Sequence, residues 1–338
     1  MKKLISFLLS VMMTATMLAG CGSSGSTPGQ IPLAQASANN ADKTYKVAIV
    51  QQLDHSSLDE IRVAISSQLL SLAQGQDFNI QIQEFNGQND ASVLNQIGTQ
   101  VVADGYDIVI PIATLAAQCM ATATEDTDIP VVYAAVSDPE SVGLTGLANV
   151  TGTSDALNTA FILDMMFAVQ PDIQTVGLLY SNSEANSATP IAQAKAYLDA
   201  KGIAYIEKTG NTADEIIAAA SALVGQADAV FTPTDNVVMA AEASVAEILS
   251  GAGIPHYTGA DSFVTAGAFA TCGVNYTELG TQTAEMAFAI LLGGEISGFK
   301  VMDGGIITVN TDTASALGLD YGVFGEMANT VVEVVTGE

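Results

Sequence analysis

Two patterns alternate along most of the chain. Short apolar runs of strand length are followed by longer segments whose apolar residues recur at helical spacing. Tyr45 to Val50 is the first such run, and Leu58 to Gln74 the first such helix, with Ile61, Ile65, Leu69 and Leu72 on one face. Phe78 to Phe85 alternates apolar and polar residues as a strand does, and Asn89 to Ala103 turns Val93, Ile97 and Val101 inward. A strand at Asp107–Ala113, a helix at Thr114–Ala123 and a strand at Ile129–Val136 complete a βαβαβαβ series. The pattern then repeats. Strands at Thr175–Tyr180, Ile203–Lys208, Asp228–Thr232 and Pro255–Tyr257 alternate with helices at Pro190–Ala200, Thr212–Gly225 and Val237–Ser250. Such alternation predicts α/β architecture, here two doubly wound lobes with parallel sheets. The tail adds a strand at Ala268–Val274, a helix at Tyr276–Leu292, a strand at Ile306–Val309 and a short helix at Thr313–Leu317.

The two halves share one detail. An Asp opens the third strand of each, at Asp107 and Asp228, and seven positions on stands a polar residue, Thr114 or Asp235. Open α/β sheets place ligands just past the carboxyl ends of such strands, beside helix N-termini. Chain crossings between lobes are expected near Asn149–Asp155, Asn275–Thr277 and Gly294–Met302. The first lobe then spans residues 44–152 and about 276–296, and the second 153–275 and about 297–338.

The first 21 residues lie outside this body. Lys2 and Lys3 precede the apolar stretch Leu4–Met17, which ends in Leu18-Ala19-Gly20-Cys21. This reads as a secretory signal and resembles the bacterial lipobox, which implies a lipidated Cys21 at the outer face of the cytoplasmic membrane. A plain signal peptide with a chance cysteine is the alternative; a spanning helix would need a longer apolar run. Residues 22–43, rich in Gly, Ser and Asn, read as a flexible tether.

Charge narrows the functional classes. The chain has 338 residues, 49% hydrophobic and 13% charged, with a net charge of −27. Without residues 1–21, 7 Lys and Arg face 36 Asp and Glu, a net of −29. That balance argues against nucleic acid, which needs a basic footprint, and against anionic lipid surfaces. With Arg62 and six Lys left, a bound anion must be held mainly by backbone amides and hydroxyls. Besides Cys21 there are two cysteines, Cys119 and Cys272, with no metal-ligand spacing. Only His55 and His256 are present, and no nucleophile or phosphate-loop motif accompanies them. A non-enzymatic binding role without cofactor or metal is the reading.

Five strand-end loops carry the candidate ligand residues. They supply His55 and Ser57; Thr114, Ala116, Ala117 and Gln118; Ser137 and Asp138; Asn182, Glu184, Asn186 and Ser187; and Thr234, Asp235 and Asn236. Asp261 and Tyr276 join them. Singly, each is also an ordinary turn or cap residue; the argument rests on both lobes delivering polar groups to one side.

These loops resemble the substrate-binding lipoproteins of ABC importers, in the group that binds tryptophan, tyrosine or phenylalanine. The matching segments are Leu53-Asp-His-Ser-Ser-Leu-Asp59, Ala113-Thr-Leu-Ala-Ala-Gln118, Val131-Val-Tyr-Ala-Ala-Val-Ser-Asp-Pro139, Asn149-Val-Thr-Gly-Thr-Ser-Asp155, Leu179-Tyr-Ser-Asn-Ser-Glu-Ala-Asn-Ser187 and Pro233-Thr-Asp-Asn236. The chain departs from the family at Ser56 and Leu115, where proline is usual. The resemblance implies a two-lobe, type I periplasmic-binding-protein-like clamp that closes on an amino acid and delivers it, as a monomer, to an ABC permease and its ATPase. Thr114, with the amides of Ala116 and Ala117, would take the carboxylate, with Ser137 a second candidate. Asp235 would take the ammonium, helped by Asp261. Asn182, Glu184, Asn186 and Ser187 would bridge to the ligand or hold the lobes together, and Tyr133, Tyr180 or Tyr276 would offer a ring. A sensory binding protein of the same fold, presenting its ligand state to a membrane receptor, is the alternative.

Overall fold

A computed structural model describes residues 30–35 and 43–337. The signal segment, Cys21 and most of the expected tether lie outside these residues. Within the tether, Gln30–Gln35 forms a strand, β1, paired antiparallel with the strand at Phe78–Asn86. The expectation of structureless chain fails for that piece. Gln30-Ile-Pro-Leu-Ala-Gln35 is a short apolar run between two glutamines, and its Pro32 suits an edge strand, where no ladder partner is lost on the outer side.

The first lobe runs β2 (Lys43–Gln51), α1 (Ser56–Ala73), β3 (Phe78–Asn86), α2 (Ala91–Ala103), β4 (Ile108–Ile112), α3 (Thr114–Ala123), β5 (Val131–Tyr133) and β6 (Val150–Ser154). The second lobe begins with α4 (Thr159–Val169), β7 (Thr175–Tyr180), α5 (Ala188–Lys201), β8 (Ala204–Thr209), α6 (Ala213–Ser221) and β9 (Ala229–Thr232). It continues with α7 (Asn236–Met239), α8 (Glu242–Gly251), β10 (His256–Thr258), α9 (Asp261–Thr265) and β11 (Ala270–Gly273). The tail holds α10 (Tyr276–Leu291), β12 (Lys300–Val301), β13 (Ile306–Asn310), α11 (Thr311–Leu317), α12 (Phe324–Met327) and β14 (Thr330–Val334).

The two sheets have the orders β1-β3-β2-β4-β5-β6-β12 and β14-β13-β11-β10-β9-β7-β8. Both are parallel except at β1/β3 and β11/β13. All five residues of β4, Ile108-Val-Ile-Pro-Ile112, are buried, as a parallel strand covered by helices on both faces requires. In each lobe the first strand lies between the second and the third: β2 between β3 and β4, β7 between β8 and β9. The winding reverses there, and the strand ends open a crevice. The Asp before each third strand fixes this order. Asp107 accepts the Lys46 amide at 2.7 Å, and Asp228 accepts the amides of Gln174 and Thr175 at 2.8 and 2.9 Å.

The chain passes between the sheets after β6, between β11 and α10, and after β12. Helix α10 returns to pack on α1, and a Cβ at Gly280 would sit 2.7 Å from both Ala64 Cβ and the Ile61 carbonyl oxygen, so glycine sets that close approach. β12 pairs with β6, which keeps residues 300–301 with the first sheet, beyond the boundary near 296 expected from the glycine breaks.

Other elements differ from the sequence reading: α9, β12, α12 and β14 were not anticipated. α4 was not anticipated: Thr159-Ala-Phe-Ile-Leu-Asp-Met-Met-Phe-Ala-Val169 has apolar residues nearly all round and little amphipathic contrast. β6 fills a stretch read as a crossing. The single helix expected at Val237–Ser250 is two, α7 and α8, and the break sets Glu242 in the core with its carboxylate 2.9 Å from His256 Nδ1. Cys119 and Cys272 are buried free thiols in the separate cores of the two lobes.

Candidate functional site

The lobes meet around a cavity of about 30 Å³. The first lobe contributes His55, Ser57, Leu58, Ala113, Thr114, Ala135 and Ser137. The second contributes Asn186, Thr234, Asp235, Asn236, Met239, Ala260, Ser262 and Phe263. Asp155 and Tyr276, at two of the crossings, close the floor. Its mix of an apolar wall and a few convergent polar groups is typical of small-molecule sites.

On the first-lobe side, the cavity meets the start of α3. Ala113 caps this helix at φ 74°, ψ 165°, a conformation that is nearly confined to glycine; Ala135, also on the wall, has φ 55°. Non-glycine residues in such regions cost about 1–3 kcal/mol each and cluster at ligand sites. The strain lets the chain leave β4 and enter α3 without a connecting loop. Of the first-turn amides, Leu115 N–H donates to Gln52 Oε1 at 3.0 Å, and Ala117 N–H donates to the Ala113 carbonyl. Those of Thr114 and Ala116 have no intrahelical carbonyl to reach, and Thr114 also brings a hydroxyl to the wall.

The matching junction of the second lobe is filled from within. Asp235 caps α7, and its Oδ1 accepts Val237 and Val238 N–H at 3.1 and 3.0 Å. Its Oδ2 accepts Ser181 N–H and Ser187 Oγ, both at 2.7 Å. Four donors saturate a fully buried carboxylate.

Four side-chain contacts cross between the lobes around the cavity. Gln52 Nε2 donates to Glu184 Oε1 at 3.1 Å, and His55 Nε2 lies 3.0 Å from Asn236 Oδ1. The Ser137 and Thr234 hydroxyls are 3.1 Å apart, and Thr189 Oγ1 donates to Asp138 Oδ2 at 2.6 Å. The lobes are thus closed. On the floor, Asp155 accepts from Ser137 Oγ at 2.8 Å and from Tyr276 OH at 3.3 Å.

Burial with few counter-charges governs the electrostatics. Desolvation raises the Asp155 carboxyl above the usual range despite its two hydrogen bonds. Desolvation also raises Asp235. It takes Glu184, beside the Asp235 carboxylate, up to about 7, and Asp261, facing Glu60, up to about 6. Burial lowers His55, so this ring is neutral. Arg62 is spent on Glu84, Gln51 and Asp59. The cavity therefore favours a cationic group. Three buried polar atoms of its lining have no partner in the protein: His55 Nδ1, Ser57 Oγ and Asn186 Oδ1. Unpaired buried groups are rare in native structures. Three of them, from both lobes, face this one cavity, which makes it the candidate ligand site.

Residues 46–322 match the family model of the ABC transporter substrate binding protein. The chain belongs to this family. A curated relative, a tyrosine-binding protein from Clostridioides difficile (strain R20291), is 30% identical over 94% of this chain and 92% of its own. The structure of a Streptococcus pneumonia ABC domain in complex with L-Trp is 29% identical, with a TM-score of 0.80 over 86% of this chain and all of that one. The ligand-free, open structure of a substrate binding protein with adhesive properties from Clostridium difficile is 32% identical over 86% of this chain and 99% of its own. Its TM-score is lower, 0.65. The more identical structure superposes less well, as a rotation of closed against open lobes produces.

In this substrate-binding protein, nine of the anticipated residues line the cavity: His55, Ser57, Thr114, Ser137, Asn186, Thr234, Asp235, Asn236 and Tyr276. Others serve elsewhere. The side chains of Ala116 and Ala117, within α3, are buried away from the cavity lining, and Gln118 donates to the Val142 carbonyl. Asn182 donates to Thr209. Ser187 is spent on Asp235, and Asp138 and Glu184 bridge the lobes. Asp261 opens α9 between two lining residues but is not one itself. Asp235 has no lone pair to spare for an ammonium. Tyr133 is core, and Tyr180 donates to Glu207. The loop reading missed Asp155 and the apolar wall. Asp155 had a signal: it is the one charge ending the otherwise neutral Asn149-Val-Thr-Gly-Thr-Ser-Asp155 segment, at a crossing.

Proposed function

We propose that this protein captures an aromatic amino acid, tyrosine or tryptophan foremost, between its lobes and hands it to an ABC import permease. The observation that carries this is the cluster of unpaired buried atoms, His55 Nδ1, Ser57 Oγ and Asn186 Oδ1, inside the closed cavity. The α-ammonium sits on Asp155, whose buried charge lacks a cationic partner. The carboxylate sits at the start of α3 on Thr114, where amides and a hydroxyl converge. Leu58, Met239 and Phe263 flank the ring, and Phe263 offers an aromatic face. The tyrosine-binding relative and the L-Trp complex support the ligand class.

Lipid on Cys21 holds the body at the outer face of the membrane, near the permease and its ATPase. Among the described residues no helix is long and apolar enough to cross a membrane. A thermal-shift screen of the twenty amino acids on the chain from residue 22 onward tests the ligand class, since a ligand that binds only the folded state raises its apparent stability. Tyrosine, tryptophan or phenylalanine should give the largest shifts. A screen in which no aromatic amino acid shifts the midpoint contradicts the reading.

A further inference from the structure

Glu184 does not line the cavity, yet both of its oxygens are committed beside it, one across the lobes and one within the second lobe. Oε1 accepts from Gln52 Nε2 at 3.1 Å, and Oε2 accepts from Asn236 Nδ2 at 2.7 Å. The Gln52 amide cannot turn over, because its Oε1 takes the backbone N–H of Leu115 and its Nε2 also donates to Asn89 Oδ1 at 2.8 Å. Asn236 is fixed in a similar way. An ionised carboxylate only accepts, so Nδ2 must face Glu184 and Oδ1 must face His55. His55 Nε2, 3.0 Å from that oxygen, must then carry the ring proton. This leaves Nδ1 as a bare acceptor, buried, unpaired and on the cavity wall.

We propose that Glu184 is a positioning residue that, through Asn236, holds His55 in the Nε2–H tautomer and so presents an acceptor that admits ligands with an N–H or O–H donor at that point. This rests on reading the cavity as the ligand site. A ligand bearing only acceptors there meets two facing lone pairs. An ammonium, a phenol or an indole N–H meets a partner.

The relay responds to protonation. A proton on Glu184 cannot settle against Gln52, whose amide is pinned, so it goes to Oε2. The Asn236 amide then turns over, its Nδ2 faces His55 Nε2, and the ring proton moves to Nδ1 through solvent. Burial and the neighbouring Asp235 raise the Glu184 carboxyl, so the acceptor is present on the alkaline side of neutrality and is lost as pH falls. The other charged groups facing this relay are Asp54 and Asp59, which favour the charged ring; burial outweighs them. Protonation of the ring itself therefore comes later on the acid side.

Histidine-selective 15N NMR reads the tautomer directly, because the chain has 2 histidines, His55 and His256, assigned with His55→Gln. Spectra are taken of the chain from residue 22 onward, with and without saturating L-tyrosine. The expected result is an Nε2–H His55 at alkaline pH that passes to Nδ1–H as pH falls through neutrality. Glu184→Gln should abolish that pH dependence and weaken L-tyrosine binding about tenfold, the scale of one misplaced buried hydrogen bond. An Nδ1–H or exchange-averaged His55 in both wild-type samples at alkaline pH overturns the relay, as does a Glu184→Gln protein with an unchanged pH profile. If that variant does not fold, the wild-type titration decides alone. Calorimetry on the same sample shows separately whether L-tyrosine binds, so failure of the ligand reading is distinguishable from failure of the relay.

Discussion

The junctions β4–α3 and β9–α7 occupy equivalent places in the two lobes and are finished in opposite ways. Each follows an Asp that pins the neighbouring strand, Asp107 or Asp228, and each opens onto the cleft. In the first lobe, Gln52 from the loop after β2 takes the Leu115 amide and leaves Thr114 facing the cavity. In the second, Asp235 turns inward, caps its own helix and fastens the loop after β7 through Ser181 and Ser187. One junction is left open for an anion. The other is closed by an anion of the protein's own. The charge proposed to receive a ligand's ammonium therefore lies on neither junction but at the crossing, on Asp155.

This contrast can be broken by mutation. Asp235→Ala removes four accepted hydrogen bonds from a buried cap, and we expect it to lower folding stability by about 3 kcal/mol, read as a lowered urea midpoint without ligand. If it instead leaves stability intact and abolishes ligand binding, the second junction is a ligand site after all. Thr114→Val should do the reverse. It should weaken L-tyrosine binding about tenfold by removing one hydrogen bond to a carboxylate, with an unchanged midpoint; calorimetry and urea titration together separate the two outcomes.

The smallest effect concerns Asp261. Burial and Glu60 raise its carboxyl from 3.8 to about 6, so the folded protein holds this proton more tightly than the unfolded chain. Its contribution to stability is full below pH 3.8 and is lost as pH rises through about 6. Asp261→Asn should therefore raise the melting temperature at pH 7.5, with a gain that shrinks towards acid pH. A gain independent of pH would remove the buried charge as its cause.

Much of the scaffold was legible because punctuation and period agreed. β7 and α3 have the bounds read from Thr175–Tyr180 and Thr114–Ala123, where apolar runs meet polar stops. α4 escaped because Phe161, Ile162, Met165 and Met166 leave little polar contrast to show a helical face. The split of α7 from α8 follows from Glu242 reaching His256, a contact with no local signature.

The site was legible as a set of loops but not as a set of roles. Asp235 and Asp155 are both carboxylates at strand ends, and nothing local tells which is saturated. That depends on Ser181 and Ser187, some 50 residues away in sequence, folding back onto Asp235. The strain at Ala113 and Ala135 is equally silent in sequence, since alanine gives no hint of positive φ.

The central claim is that a zwitterionic aromatic ligand is held in this closed cavity by Asp155. Titration calorimetry of L-tyrosine into the wild-type protein and Asp155→Asn, side by side, tests it most directly. We expect one-site binding to the wild type and a loss of about 100-fold or more in the variant, the scale of removing one partner of a buried charge pair. Equal affinities would place the ammonium elsewhere and contradict the account.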